Sequence, residues 1–136
     1  YARPVSRFVA EFMGEVNLFD VEGMASGGLK GNGLEIYINA GDSGHLLNLS
    51  AGMRGMLMVR PEAVRFMYSG ETADFIVKGV LRAEYALGSR TQYKVEAPNG
   101  DEVAVEKLRD DRFLGQVGDQ VMLGWDVEHT HMITED

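Results

Sequence analysis

A chain of 136 residues with 45 % apolar content is long enough for one packed domain, or for two small subdomains sharing a core. Its net charge of −8 argues against non-specific binding to phosphate backbones or anionic lipid, and the absence of cysteine excludes disulfides and thiolate metal sites. Seventeen glycines without collagen or linker patterning point to many tight turns, and hence to many short strands.

The first residues do not read as a signal peptide, and no apolar run approaches the roughly 20 residues that span a bilayer as a helix. Val5, Phe8, Val9, Phe12 and Met13 fall at helical spacing. With Pro4 in the first turn and Gly14 as a stop, they predict one short amphipathic helix whose Phe8 and Phe12 share an apolar surface. Strands and turns are expected from there on. Residues 16–22 (VNLFDVE) read as a strand, and the five glycines of 23–33 read as a loop or loose hairpin turn. Residues 34–38 (LEIYI) alternate as a half-buried strand does, 39–44 form a turn, and 45–50 (HLLNLS) form a weakly alternating strand. Residues 55–68 are two strand-like runs broken at Pro61, which cannot donate to a ladder.

The second half is clearer. Residues 73–88 predict one long strand, with a bend or bulge at Gly79. Residues 90–97 put Tyr93, Val95 and Ala97 on one face, and 102–108 do the same for Val103 and Val105. Asn99-Gly100 between them predicts a hairpin turn with positive φ at both central positions. Residues 109–120 form a polar loop, and 121–135 supply one or two closing strands. Eight to ten strands at this spacing predict an all-β barrel or sandwich, OB-like, in which the chain divides at Ser69-Gly70-Glu71.

No motif carries catalysis. Gly23 and Gly28 have phosphate-loop separation, but Leu29 stands where the lysine belongs, Lys30 is followed by Gly31, and no helix pattern follows. The serines lack the flanking pattern of a nucleophile elbow. His129 and His131, spaced i, i+2, would share one strand face and would need His45 or a carboxylate to complete a metal site; exposed histidines are the ordinary reading. The aromatics Phe66, Tyr68, Phe75, Tyr85, Tyr93 and Trp125 alternate with polar residues, so the core explains them better than stacking on nucleic acid. Arg60 and Glu62 flank Pro61 and project to one side, either as a strand-end ion pair or as an interface or ligand contact.

The opening YARPVSRFVAEFMGEVNLF resembles the junction in ATP-binding subunits of ABC importers of the spermidine/putrescine, maltose and ferric-iron type. Tyr1, Pro4, Phe8, Val9, Ala10, Phe12, Gly14 and Asn17 carry the match. VRPEAV (59–64) resembles an Arg-Pro-Glu/Asp segment of the C-terminal domain of the same subunits, and residues 79–103 followed by 115–133 resemble its transport-associated OB module, with a recurring glycine at Gly88 and a Gly-Asp pair at Gly118-Asp119. The ending Trp125-Asp126-Val127 leans towards the polyamine branch, while the glycine-rich 23–33 loop departs from the family.

The resemblance implies a C-terminal regulatory and dimerisation domain that is not itself an enzyme. Residues 1–15 would be a helical junction from a missing nucleotide-binding domain, 16–70 a first OB-like subdomain, and 71–136 the transport-associated OB subdomain. ATP and Mg would belong to the parent protein, with no catalytic, cofactor or metal residue in this chain. The implied partners are a second copy, membrane permease subunits reached through the ATPase domain, and a regulatory protein or solute, but no nucleic acid. The implied location is the cytoplasmic side of the inner membrane. Arg60, Glu62 and Gly88 are the candidate contacts. The other function considered is a free-standing OB module for a small ligand such as an oxyanion.

Overall fold

The computed structural model describes residues 15–25, 29–31, 37–38 and 49–134. The expected N-terminal helix lies outside these residues, as does most of the expected 45–50 strand; Leu49 and Ser50, at its end, are not in a strand. Ten strands are described: β1 (Asn17–Gly23), β2 (Leu29–Gly31), β3 (Tyr37–Ile38), β4 (Arg54–Val59), β5 (Arg65–Phe66), β6 (Phe75–Leu87), β7 (Arg90–Glu96), β8 (Glu102–Leu108), β9 (Gln120–Trp125) and β10 (Thr130–Thr134). They form two antiparallel sheets, β10-β4-β1-β2 and β5-β9-β6-β7-β8, with β3 paired to β6. The all-β expectation therefore holds. The turn at Ser69-Gly70 lies between β5 and β6, yet each sheet draws strands from both sides of it.

Period-2 alternation explains why these segments are strands. In β1, Asn17, Phe19, Val21 and Gly23 face inward, and β7 buries Thr91, Tyr93 and Val95. The inward faces of both sheets meet in one core, with Leu57 and Val59 from β4 beside Val77, Leu81 and Leu123. Trp125 is fully buried and stacks between Phe19 of the first sheet, at 5.1 Å, and Phe75 of the second, at 5.6 Å.

A polar clamp joins the sheets where the hydrophobic pattern is broken. Asn17 is buried at an inward position of β1. Its Nδ2 donates to the Ala104 carbonyl and its Oδ1 accepts from the Ala104 N–H, both at 2.8 Å. The side-chain amide thus imitates a ladder pair and bridges β1 to β8.

A second clamp sits where the chain leaves β9 for β10. Arg65 Nη1 donates to Asp126 Oδ2 at 3.0 Å, and its Nη2 donates to the Thr72 carbonyl at 2.9 Å. Asp126 Oδ1 accepts from the Asp74 N–H at 3.3 Å, and Asp74 Oδ2 accepts from the Val127 N–H at 2.9 Å. Burial alone would raise the Asp126 pKa, but the hydrogen bonds from Arg65 and Asp74 and the Arg65 charge outweigh it and hold the carboxyl below its ordinary range. A carboxyl with a depressed folded pKa stabilises the fold above its unfolded value. That contribution is lost as pH falls through the folded pKa. Asp126→Asn is expected to flatten the loss of stability below about pH 4, read from urea midpoints at pH 7, 4 and 3.

Two turn expectations need correction. Gly79 is not the bulge: the register of β6 against β7 shifts between Leu81 and Ala83, at Arg82. Gly79 is glycine because the end of β7 passes close by; a Cβ there would lie 2.6 Å from the Glu96 carbonyl oxygen. Asn99-Gly100 is not a turn with two positive-φ residues either. The Gly100 N–H bonds the Ala97 carbonyl at 2.9 Å, Gly100 alone has positive φ, and the Ala97 N–H bonds the Asp101 carbonyl at 2.8 Å. Pro98 and Asn99 therefore form a type I turn closed by a glycine bulge, because proline's fixed φ suits the first central position of that turn.

Candidate functional site

Two surface features stand out among the described residues. The first is a groove of about 910 Å³ at the mouth of the second sheet. Phe66, Tyr68, Phe113 and Met122 form its apolar wall, while Glu96 and Gln120 contribute polar groups. The wall is built by the 109–120 loop folding back over the sheet. Phe113 stacks on Phe66 at 4.2 Å, and its N–H donates to the Tyr93 hydroxyl at 2.8 Å. Burial raises the Tyr93 pKa, the bond from Phe113 offsets part of this, and Glu84 adds to the rise. The contribution of neutral Tyr93 to stability is therefore complete below its ordinary value of about 10 and declines as pH rises from there through the folded pKa. Tyr93→Phe is expected to lose the Phe113 bond and to show a shallower fall in stability between pH 9 and 11, checked by thermal melts across that range.

Tyr68 is 58 % exposed, so it is a groove residue and not the core aromatic that its alternation suggested. Glu96 is paired with Arg82 at 2.9 Å. The groove thus combines ring faces, thioether and a paired carboxylate, which suits a ligand with both apolar and polar parts.

The second feature is the hairpin of β6 and β7. Leu87 pairs with Arg90 across Gly88 and Ser89, and Gly88 has φ of 71°. A two-residue turn with glycine at the first position is type II′, which explains Gly88 without any contact. A Cβ there would meet open space. Every residue from Glu84 to Arg90 is exposed, including Tyr85 at 50 % and Leu87 at 55 %. A cleft of about 520 Å³ lies on the other face of the hairpin, between Glu84, Ala86 and Gly88 on one side and Arg109, Asp110 and Arg112 on the other.

The remaining candidates are dispersed. Arg60 and Glu62 bracket buried Pro61 at a 3₁₀ turn spanning Pro61–Ala63; Glu62 is exposed, Arg60 half-buried, and no ion pair joins them. Neither lines the groove or the cleft, so the structure does not bring them together with Gly88. His129 lies in a 3₁₀ turn and His131 on β10, so they do not share a strand. His45 lies outside the described residues, among which no group of three or more metal-ligating side chains occurs. No described helix is long and apolar enough to cross a membrane.

Sequence reasoning missed where the chain enters the barrel. The Glu15 carboxylate accepts from Gln92 Nε2 and, at 2.6 Å, from Lys94 Nζ, which is also 3.7 Å from Glu102. Together with Asn17, this fastens residues 15–17 onto β7 and β8. Lys94 and Gln92 on the outward face of β7 were the available signal, but an exposed face does not say which segment will cross it.

Two antiparallel sheets sharing one core define an OB-like β module. Its sequence matches the TOBE domain over residues 57–133, more than half of the chain, and the chain belongs to that family. The spermidine/putrescine import ATP-binding protein PotA of Rubrobacter xylanophilus is 30 % identical over 135 residues, covering 95 % of this chain and 34 % of that protein. PotA of Thermobifida fusca is 29 % identical over 140 residues, covering 98 % of this chain and 35 % of that protein. The chain spans about a third of the length of these relatives. Among solved structures, the cytoplasmic molybdate-binding protein ModG has a TM-score of 0.64 at 14 % identity, covering 88 % of this chain and 96 % of that one, a likeness of fold.

Proposed function

We propose that this chain is the C-terminal regulatory and dimerisation domain of the ATP-binding subunit of an ABC importer, with polyamines as the cargo. The observation that carries the reading is coverage: relatives of that class align along 95 % and more of this chain yet over only about a third of themselves. The domain itself performs no chemistry. ATP and Mg bind to the preceding nucleotide-binding domain, which also contacts the membrane permease subunits, so the assembly works on the cytoplasmic face of the inner membrane. The entry clamp at Glu15 and Asn17 supports this role, because it gives the incoming chain a fixed direction relative to the barrel. Regulation acts through the aromatic groove or through the pairing of two copies.

The coding sequence upstream of Tyr1 tests the reading. An in-frame phosphate-binding loop within a few hundred codons is expected. A start codon immediately before this segment would overturn it.

The ModG likeness supports a second reading, a free-standing oxyanion-binding module, with the cleft that holds Arg109 and Arg112 beside Glu84 and Asp110 as the candidate. Calorimetric titration with molybdate separates the two. No heat at millimolar molybdate is expected for the importer domain, and micromolar binding would favour the oxyanion module.

A further inference from the structure

Among the described residues, the C-terminal half of β6 has one unpaired edge. Its N-terminal half pairs with β9 from Phe75 to Val80, and its C-terminal half pairs with β7 from Val80 to Leu87. On the β9 side, ladder-like bonding ends at Leu81, whose N–H bonds the Asp119 carbonyl at 2.9 Å and whose carbonyl accepts from Gly118 at 2.7 Å. Beyond it, residues 82–87 have no strand partner on that side among the described residues. In a hairpin with a two-residue turn, the flanking Leu87 and Arg90 exchange hydrogen bonds, and alternate residues do the same. Leu87 and Tyr85 thus direct their backbone groups to β7, while Ala86 and Glu84 direct theirs outward. An open edge carrying exposed Tyr85 and Leu87 is a template for another strand.

We propose that this edge pairs antiparallel with the same edge of a second copy of this chain, about a two-fold axis through Tyr85. The proposal rests on the dimerisation reading above and specifies its surface. The register follows from charge and hydrogen bonding. An axis through Glu84 would set two carboxylates opposite each other. An axis through Tyr85 makes Tyr85 face Tyr85 of the second copy as a non-hydrogen-bonded pair, and sets Ala83 against Leu87. Glu84 then exchanges backbone hydrogen bonds with Ala86 of the second copy. Ala86 lines the cleft that holds Arg109 and Arg112 beside Glu84 and Asp110, so Glu84 of each copy comes to the rim of a cleft with balanced charge in the other. Aromatic and aliphatic pairs are thereby matched in one register, and β8-β7-β6 continues across the axis into a sheet of six strands. Gly88 falls opposite Arg82 at each end, which gives the hairpin turn a place in the same contact. A self-complementary patch is what a closed two-fold dimer requires. A single strand edge lies at the small end of stable interfaces, so the isolated chain associates weakly.

The chain contains no cysteine, so Tyr85→Cys introduces a single thiol. The proposed pair sets its Cα about 4.5 Å from its symmetry mate, within disulfide range. Under mild oxidation at about 50 µM, Y85C is expected to cross-link at least tenfold faster than Met53→Cys, a thiol on a 42 % exposed residue that precedes β4 of the other sheet. Ala86→Pro removes an outward N–H once in each copy and is expected to weaken the dimer at least tenfold by light scattering, with Trp125 fluorescence unchanged. A wild-type dimer with equal cross-linking rates for the two thiols, or one that A86P leaves intact, overturns this edge and leaves pairing of the domain standing. A wild-type monomer at several hundred micromolar overturns both.

Discussion

Asn17→Ala is expected to cost about 3 kcal/mol, one of the two largest effects of any single change considered. Truncation removes both 2.8 Å bonds to Ala104 and leaves the N–H and C=O of a residue that is 4 % exposed without partners. Each orphaned backbone group costs roughly 1–3 kcal/mol, more than the net gain of the bonds themselves. For a chain of this length the melting temperature should fall by roughly 10 °C. Asn17→Asp gives the sharper test. When ionised, the introduced carboxylate would accept from the Ala104 N–H but could not donate to its carbonyl, and it would place a charge in the core. When protonated, the same group restores both bonds. Burial raises its folded pKa above the ordinary value of about 3.9, so the penalty is complete at neutral pH and shrinks as pH falls through the folded pKa. The gap in melting temperature between wild type and N17D should narrow from pH 7 to pH 4. A constant gap would mean that the amide is merely filling space.

How much of this was legible depends on whether the cause is local. The β6–β7 and β7–β8 hairpins were readable because period-2 burial and turn glycines act within a few residues. The Asn99-Gly100 turn type was misread although Pro98 gave the local signal. The histidines failed as a pair because a 3₁₀ turn over Val127–His129 interrupts the strand, held by the Thr130 hydroxyl bonding the Asp126 carbonyl at 2.9 Å. Tyr68 and Tyr85 carry the same alternation as Tyr93, yet only Tyr93 is covered. Alternation assigns a side chain to a face, and the covering loop decides whether that face is core. The groove and the open edge were illegible for the same reason, since both depend on where the 109–120 segment and β9 stop covering β6.

Gly79→Ala is expected to cost about 2–3 kcal/mol, by a different route from the other glycines. Its Cβ would stand 2.6 Å from both the Glu96 carbonyl oxygen and Val95 Cγ1. The oxygen belongs to backbone at the end of β7, so relief requires the strands to part where Val80 pairs with Glu96, not a change of rotamer. Gly79 also lines the aromatic groove, and the displacement would move Glu96 and the Ala97 turn that form its far wall. Gly88→Ala is the matched control: open space surrounds it, and its cost of about 1 kcal/mol comes from φ of 71° alone. Urea midpoints rank the two. Hydrogen exchange locates them, with protection lost near residues 79–81 and 95–97 in G79A and confined to the hairpin tip in G88A. If the two variants proved equally mild, β7 would have to yield to the added methyl at little cost, and the close approach at Gly79 would not be what fixes the register of β6 against β7.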